Sequence, residues 1–195
     1  KRKWRVAIVA NVKDDSLPLS SDLPPDAYGE FESIETVQLL RNAIESDGHE
    51  TALLLADKNL PKALEDYNPD ICFNDAEGIQ GDAREAQTPA LFEMMGIPYT
   101  HSRLLTHGIA LDKTLTKRIW RDFGLPVAKF QEFTTGDEPI SPELEFPLFV
   151  KPAREGSGMG IDNNSTVMKE SEMRERVAYL IAVYKQPALV ETFLP

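Results

Sequence analysis

Cysteine is almost missing from this chain: Cys72 is the only one among 195 residues. No internal disulfide can form, and a reducing compartment is expected. Long apolar runs are missing too. No stretch approaches the roughly 20 consecutive apolar residues that a membrane-spanning helix requires. The basic opening Lys1-Arg2-Lys3-Trp4-Arg5 is followed by an apolar run, Val6 to Val9, that is too short for the core of a signal peptide. A cytoplasmic protein with no membrane partner is expected. Positive charge is also scarce, with 21 Lys and Arg against 32 Asp and Glu and a formal net charge of −11. Sequence-independent binding of nucleic acid needs a basic surface, so no nucleic-acid partner is expected. A small anion stays open, because a few lysines aimed into one cleft can hold a phosphate within an acidic protein.

What is present is ordinary for a globular protein: 42% hydrophobic and 27% charged residues exclude disordered and fibrous classes. The length allows one large domain or two small ones. Val6 to Ala10 predicts a buried strand, and Asn11 to Glu30, with Pro18, Pro24 and Pro25, predicts a long loop. Ile34, Val37, Leu40 and Ile44 fall on one helical face, closed by Asp47-Gly48. Strands over Thr51–Leu55 and Ile71–Asn74 flank a short helix over Leu60–Tyr67. Asp82 is expected to cap a helix with the inner face Ala83, Ala86, Ala90, Leu91 and Met94, and Ile97-Pro98-Tyr99 to open a fourth strand. This alternation implies a parallel sheet with helices on both faces, a Rossmann-like α/β domain over residues 1–100. The pattern then changes. Helices over Ser102–Ala110 and Asp112–Phe123, the second with Leu115, Ile119 and Phe123 on one side, precede strands over Val127–Phe133 and Phe146–Lys151. A helix over Glu170–Tyr184 and a strand over Ala188–Glu191 follow. Strands with short hairpin-like links plus helices indicate a small α+β unit over residues 101–195.

The strongest local signal is Phe149-Val150-Lys151-Pro152-Ala153-Arg154-Glu155-Gly156-Ser157-Gly158-Met159-Gly160. A buried strand delivers a lysine, and three glycines follow, whose backbone N–H groups can approach phosphate oxygens without side-chain obstruction. The Walker pattern fails because the lysine precedes the loop, and the dinucleotide fingerprint fails because no helix opens after it. Alone, such a loop reads equally well as a plain hairpin turn, and Lys151 as a solvated strand end. Lys113, in the first turn of a helix that Asp112 can cap, is a poor match to the helix dipole unless it faces an anion.

Taken together, Gly96-Ile97-Pro98-Tyr99-Thr100, Leu111-Asp112-Lys113, Thr116-Lys117, Gly124-Leu125-Pro126, Pro147-Leu148-Phe149-Val150-Lys151-Pro152, Glu155-Gly156-Ser157, Gly160 and Val190-Glu191 resemble D-alanine–D-alanine ligases and related ATP-grasp carboxylate–amine ligases. The resemblance spans residues 71 to 195 in order. It implies a pre-ATP-grasp α/β domain followed by the central ATP-grasp lid subdomain, with the carboxy-terminal ATP-grasp subdomain absent. It also implies that Lys113 and Lys151 hold the ATP phosphates, that Glu155, Gly156, Ser157 and Gly158 form the mobile loop over them, and that Ser157 helps to orient substrate. Glu191 with Thr192 to Leu194 would line the adenine pocket, and Phe149 either flanks the base or is plain strand core. The implied chemistry is ATP-dependent phosphorylation of a carboxylate to an acyl phosphate, then attack by an amine, with Mg2+ stabilising the transferring phosphoryl group.

Departures from the family pattern limit what carries over. After the first strand stands Asn11-Val12-Lys13-Asp14 in place of a glycine-rich loop, and Glu32 and Glu35 only loosely match the helix glutamate that would bind a substrate amine. Asn74-Asp75-Ala76-Glu77-Gly78 replaces a histidine-glycine stretch, so D-alanine is not implied as substrate; Glu32 and Glu77 become the substrate candidates, with Arg84. The family's metal ligands would lie beyond residue 195, so no metal site is expected here and the chain alone is expected to be inactive. ATP and an amino acid or small peptide are the implied partners, with a homodimer or a missing-half partner as protein contacts. The alternative is a non-catalytic nucleotide-binding or regulatory module.

Overall fold

The structure, a computed structural model, describes residues 2–13 and 23–194. Of these, 2–13 and 30–108 form one compact unit, and 23–29 and 109–194 form a second. The proline-bearing loop expected after the first strand therefore lies partly outside the described residues.

The first unit is built on three parallel strands, β1 (Arg5–Ala10), β2 (Glu50–Leu55) and β3 (Ile71–Asp75), in the order β2-β1-β3. From Val6 to Ala10 the central strand is apolar and buried, because both of its faces are covered. Ala7 and Val9 point into a core with Leu60, Leu64, Cys72 and Phe92, whereas Ile8 and Ala10 pack with Val37. The first core is roofed by α2 (Leu60–Tyr67) and α3 (Gln87–Met95), and the second by α1 (Ile34–Ser46), whose start is capped by the Ser33 hydroxyl accepting from the Thr36 N–H. Cys72 is fully buried, and burial pushes its thiol up to about 12.

Two expectations for this unit need correction. Asp82 caps no helix: a 3-10 turn over Arg84–Ala86 comes first, and α3 starts at Gln87. Pro89 sits in the first turn of α3, where its missing N–H costs nothing. The later start shifts the helical phase, so Phe92 is buried while Met94 is 85% exposed. The fourth strand shrinks to one bridge, Cys72 with Tyr99, because His101 enters the left-handed region (φ 74°) two residues on and ends the extended run.

The second unit carries an antiparallel sheet of β4 (Phe130–Phe133), β5 (Leu148–Pro152), β6 (Thr166–Val167) and β7 (Ala188–Thr192), in the order β4-β7-β5-β6. In chain order, α4 (Leu104–Ala110) and α5 (Lys113–Asp122) precede this sheet. Its core joins Phe133, Leu148, Val150 and Val190 to Met173, Val177 and Leu180 of α6 (Glu170–Tyr184). The strands β4 and β5 are not neighbours, since β7 lies between them and the segment 134–145 connects them across it. The two-residue strand β6 is too short for a sequence pattern to reveal. Of the expected apolar side of α5, Leu115 and Phe123 are 40% and 78% exposed and Ile119 is half-buried, while Thr114 is buried. The Thr114 hydroxyl donates to Asp112 Oδ1 at 2.6 Å. Among the described residues no helix is long and apolar enough to cross a membrane.

Candidate functional site

The register of the second sheet sets Phe149 opposite Glu191 and Lys151 opposite Leu189. Side chains alternate along a strand, so Phe149, Lys151 and Glu191 share the face that α6 does not cover, while Leu148 and Val150 enter the core. Lys151 Nζ donates to Glu191 Oε1 at 2.6 Å. From α5, Lys117 Nζ reaches Glu191 Oε2 at 2.7 Å. One carboxylate thus sits between two ammonium groups. Burial opposes its ionisation, but the two lysines outweigh burial and hold Glu191 below the usual carboxylate range.

These residues line a cleft of about 370 Å³, with Trp120 and Pro126–Ala128 on one side and Phe149 and Thr192–Leu194 on the other. The Phe149 and Phe193 rings lie 6.4 Å apart, and Lys151 Nζ lies 5.7 Å from the Phe149 ring centre. Apolar walls ending in two ammonium groups suit a planar aromatic group that carries an anion.

The glycine-rich connection from β5 to β6 is bolted at its first stem. The Arg154 N–H donates to Gln186 Oε1 at 2.6 Å, and Gln186 Nε2 donates to Glu155 Oε1 at 2.6 Å. The Arg154 guanidinium donates to Asp112 Oδ2 at 2.9 Å. Asp112 also accepts from the Leu115 N–H as the cap of α5, and although burial opposes it, these bonds hold Asp112 below its ordinary range. Lys113 Nζ donates to the Glu155 carbonyl. The tip is different: Ser157 and Gly158 are exposed and both have positive φ, 46° and 76°.

The sequence-predicted residues therefore divide. Phe149, Lys151, Glu191, Thr192 and Leu194 line one cleft. Glu155, Gly156, Ser157 and Gly158 form the first stem and tip of the loop, and Lys113 contacts that stem. Lys113 donates to the Glu155 carbonyl, whereas Lys117 and Lys151 share Glu191. Lys117 stood in the quoted motif without a role, although it lies one helical turn after Lys113. Gln186 and Trp120 gave no signal beyond their positions.

In the first unit, Asn11 at the end of β1 accepts from the Glu77 and Gly78 N–H groups at 2.9 Å each and donates to the Ala56 carbonyl at 3.2 Å. One buried amide thereby ties together the carboxyl ends of all three strands, where ligands of open α/β sheets bind. Beside it, carboxylate oxygens of Glu30, Glu77 and Glu85 lie within 4.8 Å of one another. Arg84 donates to Glu30 Oε2 at 2.6 Å. Burial, reinforced by Glu30 and Glu85 and only partly offset by Arg84, pushes the Glu77 carboxyl up to about 7. Glu32 does not join this group. It precedes α1 in a bridge with Val12, because Ser33 takes the cap position and the helix starts at Ile34. Glu35, in the first turn of α1, is exposed.

The cleft beside Lys151 and Glu191 does not fit Mg2+ with its own residues, because its one carboxylate has an ammonium group on each oxygen.

A family profile described as D-ala D-ala ligase C-terminus matches residues 119–195. The chain is 37% identical over 160 residues to the uncharacterized protein y4sG of Sinorhizobium fredii (strain NBRC 101917 / NGR234), an alignment covering 78% of this chain and 46% of that protein. It is 34% identical over 133 residues to the D-alanine–D-alanine ligase of Marinomonas sp. (strain MWYL1), covering 67% of this chain and 40% of that one. In fold, it matches the crystal structure of D-alanine–D-alanine ligase from Bacillus anthracis with a TM-score of 0.73 at 21% identity, over 98% of this chain and 58% of that chain. The same enzyme complexed with ATP matches with a TM-score of 0.67 at 18% identity, over 98% of this chain and 59% of that chain. The chain spans about half the length of the curated relatives it matches. By these matches, and by a mixed α/β fold with one parallel and one antiparallel sheet, the chain resembles the D-alanine–D-alanine ligases of the ATP-grasp group.

Proposed function

We propose that this chain supplies the amino-terminal and central parts of an ATP-dependent carboxylate–amine ligase. Residues 1–100 serve as the pre-ATP-grasp domain and 101–195 as the lid subdomain. One observation carries the proposal: Phe149, Glu191, Thr192 and Leu194, expected at an adenine pocket, and Lys151, expected on the phosphates, line a single cleft in which Lys117 and Lys151 both reach Glu191.

In this reading the base lies between Trp120 and Phe149, against the backbone of 192–194, and the phosphates extend past Lys151 toward the loop tip at Gly156–Gly158. Each lysine gives one N–H to Glu191 and keeps others for phosphate oxygens. The clamp therefore presents positive charge without leaving either cation unpaired. A carboxylate oxygen of the substrate attacks the γ-phosphorus and ADP leaves; an amine then attacks the acyl carbon of the acyl phosphate and inorganic phosphate leaves. Lys113, held on the Glu155 carbonyl, couples α5 to the loop and adds charge beside it. Ser157, exposed at the tip, orients substrate once the loop closes. In the first unit, Glu77 and Arg84, at the carboxyl ends of the strands, meet the charged groups of an amino acid or small peptide.

The full gene product, given ATP, Mg2+ and amino acids singly and in pairs, is expected to release inorganic phosphate only when a suitable amino acid or dipeptide is present. If no amino acid or dipeptide elicits ATP consumption, the ligase reading fails.

A further inference from the structure

The second stem of the glycine loop is held by a residue from far away in the chain. Residues 23–29, which follow β1 in sequence, belong to the second unit. There Asp26 accepts the Gly160 N–H on Oδ2 at 2.8 Å and the Tyr184 hydroxyl on Oδ1 at 2.8 Å. The partners are 134 and 158 residues away in sequence. Burial first, and then the Asp26 carboxylate, push the Tyr184 hydroxyl above its ordinary range. From the other side, Arg176 Nη2 donates to the Gly160 carbonyl at 2.8 Å and Arg176 Nη1 to Asp162 Oδ2 at 3.1 Å, with the Arg176 side chain only 6% exposed. Both backbone polar groups of Gly160 are therefore taken by charged side chains. Gly160 has φ 69°, and a Cβ there would stand 2.4 Å from Pro152 Cγ, so the backbone must be pressed against β5 at this point. Met159 and Gly160 are buried, whereas Ser157 and Gly158, the next two residues back, are exposed.

We infer that Asp26 is a positioning residue for the loop: it fixes Gly160 as the pivot, so that only Gly156–Gly158 moves when phosphates bind. The inference rests on the reading of the loop as the phosphate-covering element. A hydrogen bond to a charged carboxylate contributes enough that its loss raises local opening roughly tenfold or more. A pivot freed in this way spreads the loop over many conformations and lowers the fraction competent to hold phosphate.

The test compares the chain with Asp26→Ala and with Tyr184→Phe, which keeps the carboxylate on Gly160 and removes one of its two partners. Hydrogen exchange across 156–162 is expected to rise about tenfold in Asp26→Ala and by less in Tyr184→Phe, with β5 and β7 unchanged. Equilibrium titration is expected to show ATP bound about five- to tenfold more weakly by Asp26→Ala while adenosine, which lacks phosphates, binds equally to both proteins. A merely structural defect would weaken both ligands alike and overturn the inference. So would unchanged exchange in both variants, or an ATP affinity of Asp26→Ala equal to that of a wild-type chain that does bind ATP. If the wild-type chain binds adenosine and ATP equally, the phosphate-loop reading itself fails, a result distinguishable from the others.

Discussion

Two largely buried charge clusters, one in each unit, solve the same problem in opposite ways. In the second unit Glu191 lies between Lys117 and Lys151, two cations to one carboxylate. In the first, Glu30, Glu77 and Glu85 crowd together with Arg84 on Glu30, so carboxylates outnumber that cation. Burial raises the cost of charge at both sites, yet Glu191 is held below its ordinary range and Glu77 is pushed up to about 7. Burial raises both carboxyls; at Glu77 the neighbouring carboxylates add to it, and at Glu191 the two lysines overcome it. The Glu191 cluster carries two cations to one anion. The Glu77 cluster carries a carboxyl pushed up to about 7, which neutral pH can protonate or deprotonate.

The sharpest way to break this contrast is to neutralise each carboxylate in turn. Glu191→Gln leaves two ammonium groups facing each other without their counter-charge, and is expected to cost about 3 kcal/mol of stability by urea unfolding, since removing one partner of a buried pair strands the other. Glu77→Gln removes a like charge from a crowded site. At pH 8 it is expected to stabilise by about 1 kcal/mol. If both substitutions destabilise alike, the contrast is wrong.

The pH dependence sharpens the same point. The folded pKa of Glu77 lies above its unfolded value, so ionising it opposes folding. Its stabilising share is fully present below about 4.5 and is lost as pH rises toward about 7. Wild-type stability is therefore expected to fall across that window more steeply than that of Glu77→Gln, by up to about one proton's worth of slope. Glu191 has the opposite sign, and its contribution disappears only when pH drops through its depressed pKa. The smallest effect is expected at Asp112. Asp112→Asn keeps a cap for α5 and loses charge against Arg154, costing roughly 0.5–1 kcal/mol by thermal unfolding.

The legible parts of this molecule are those written in local pattern. The alternation through Phe149, Lys151 and the run up to Glu191 gave the strands, and two adjacent strands were enough to bring those side chains to one face. The ends of α2 and α6 were legible too, with Asn68 and Lys185 in the left-handed region closing each helix. What escaped depended on distance in sequence. That β7 inserts between β4 and β5 is a matter of tertiary pairing, and no hairpin signal reports it. The phase of α3 slipped because Asp82 looked like a cap when the helix waits for Gln87. Lys117 was in view, but its role appears only once Glu191 is folded beneath it. Asp26 was one acid in a proline-bearing loop until the fold set it on Gly160.

The central claim, that one cleft takes a base at 192–194 and phosphates at the glycine loop, is tested most directly by backbone amide NMR during titration with ATP. The account predicts saturable shifts at both ends together, in Thr192–Leu194 and in Gly156–Gly160, with adenosine moving only the first set. Shifts confined to scattered surface lysines, or to neither end, would contradict it.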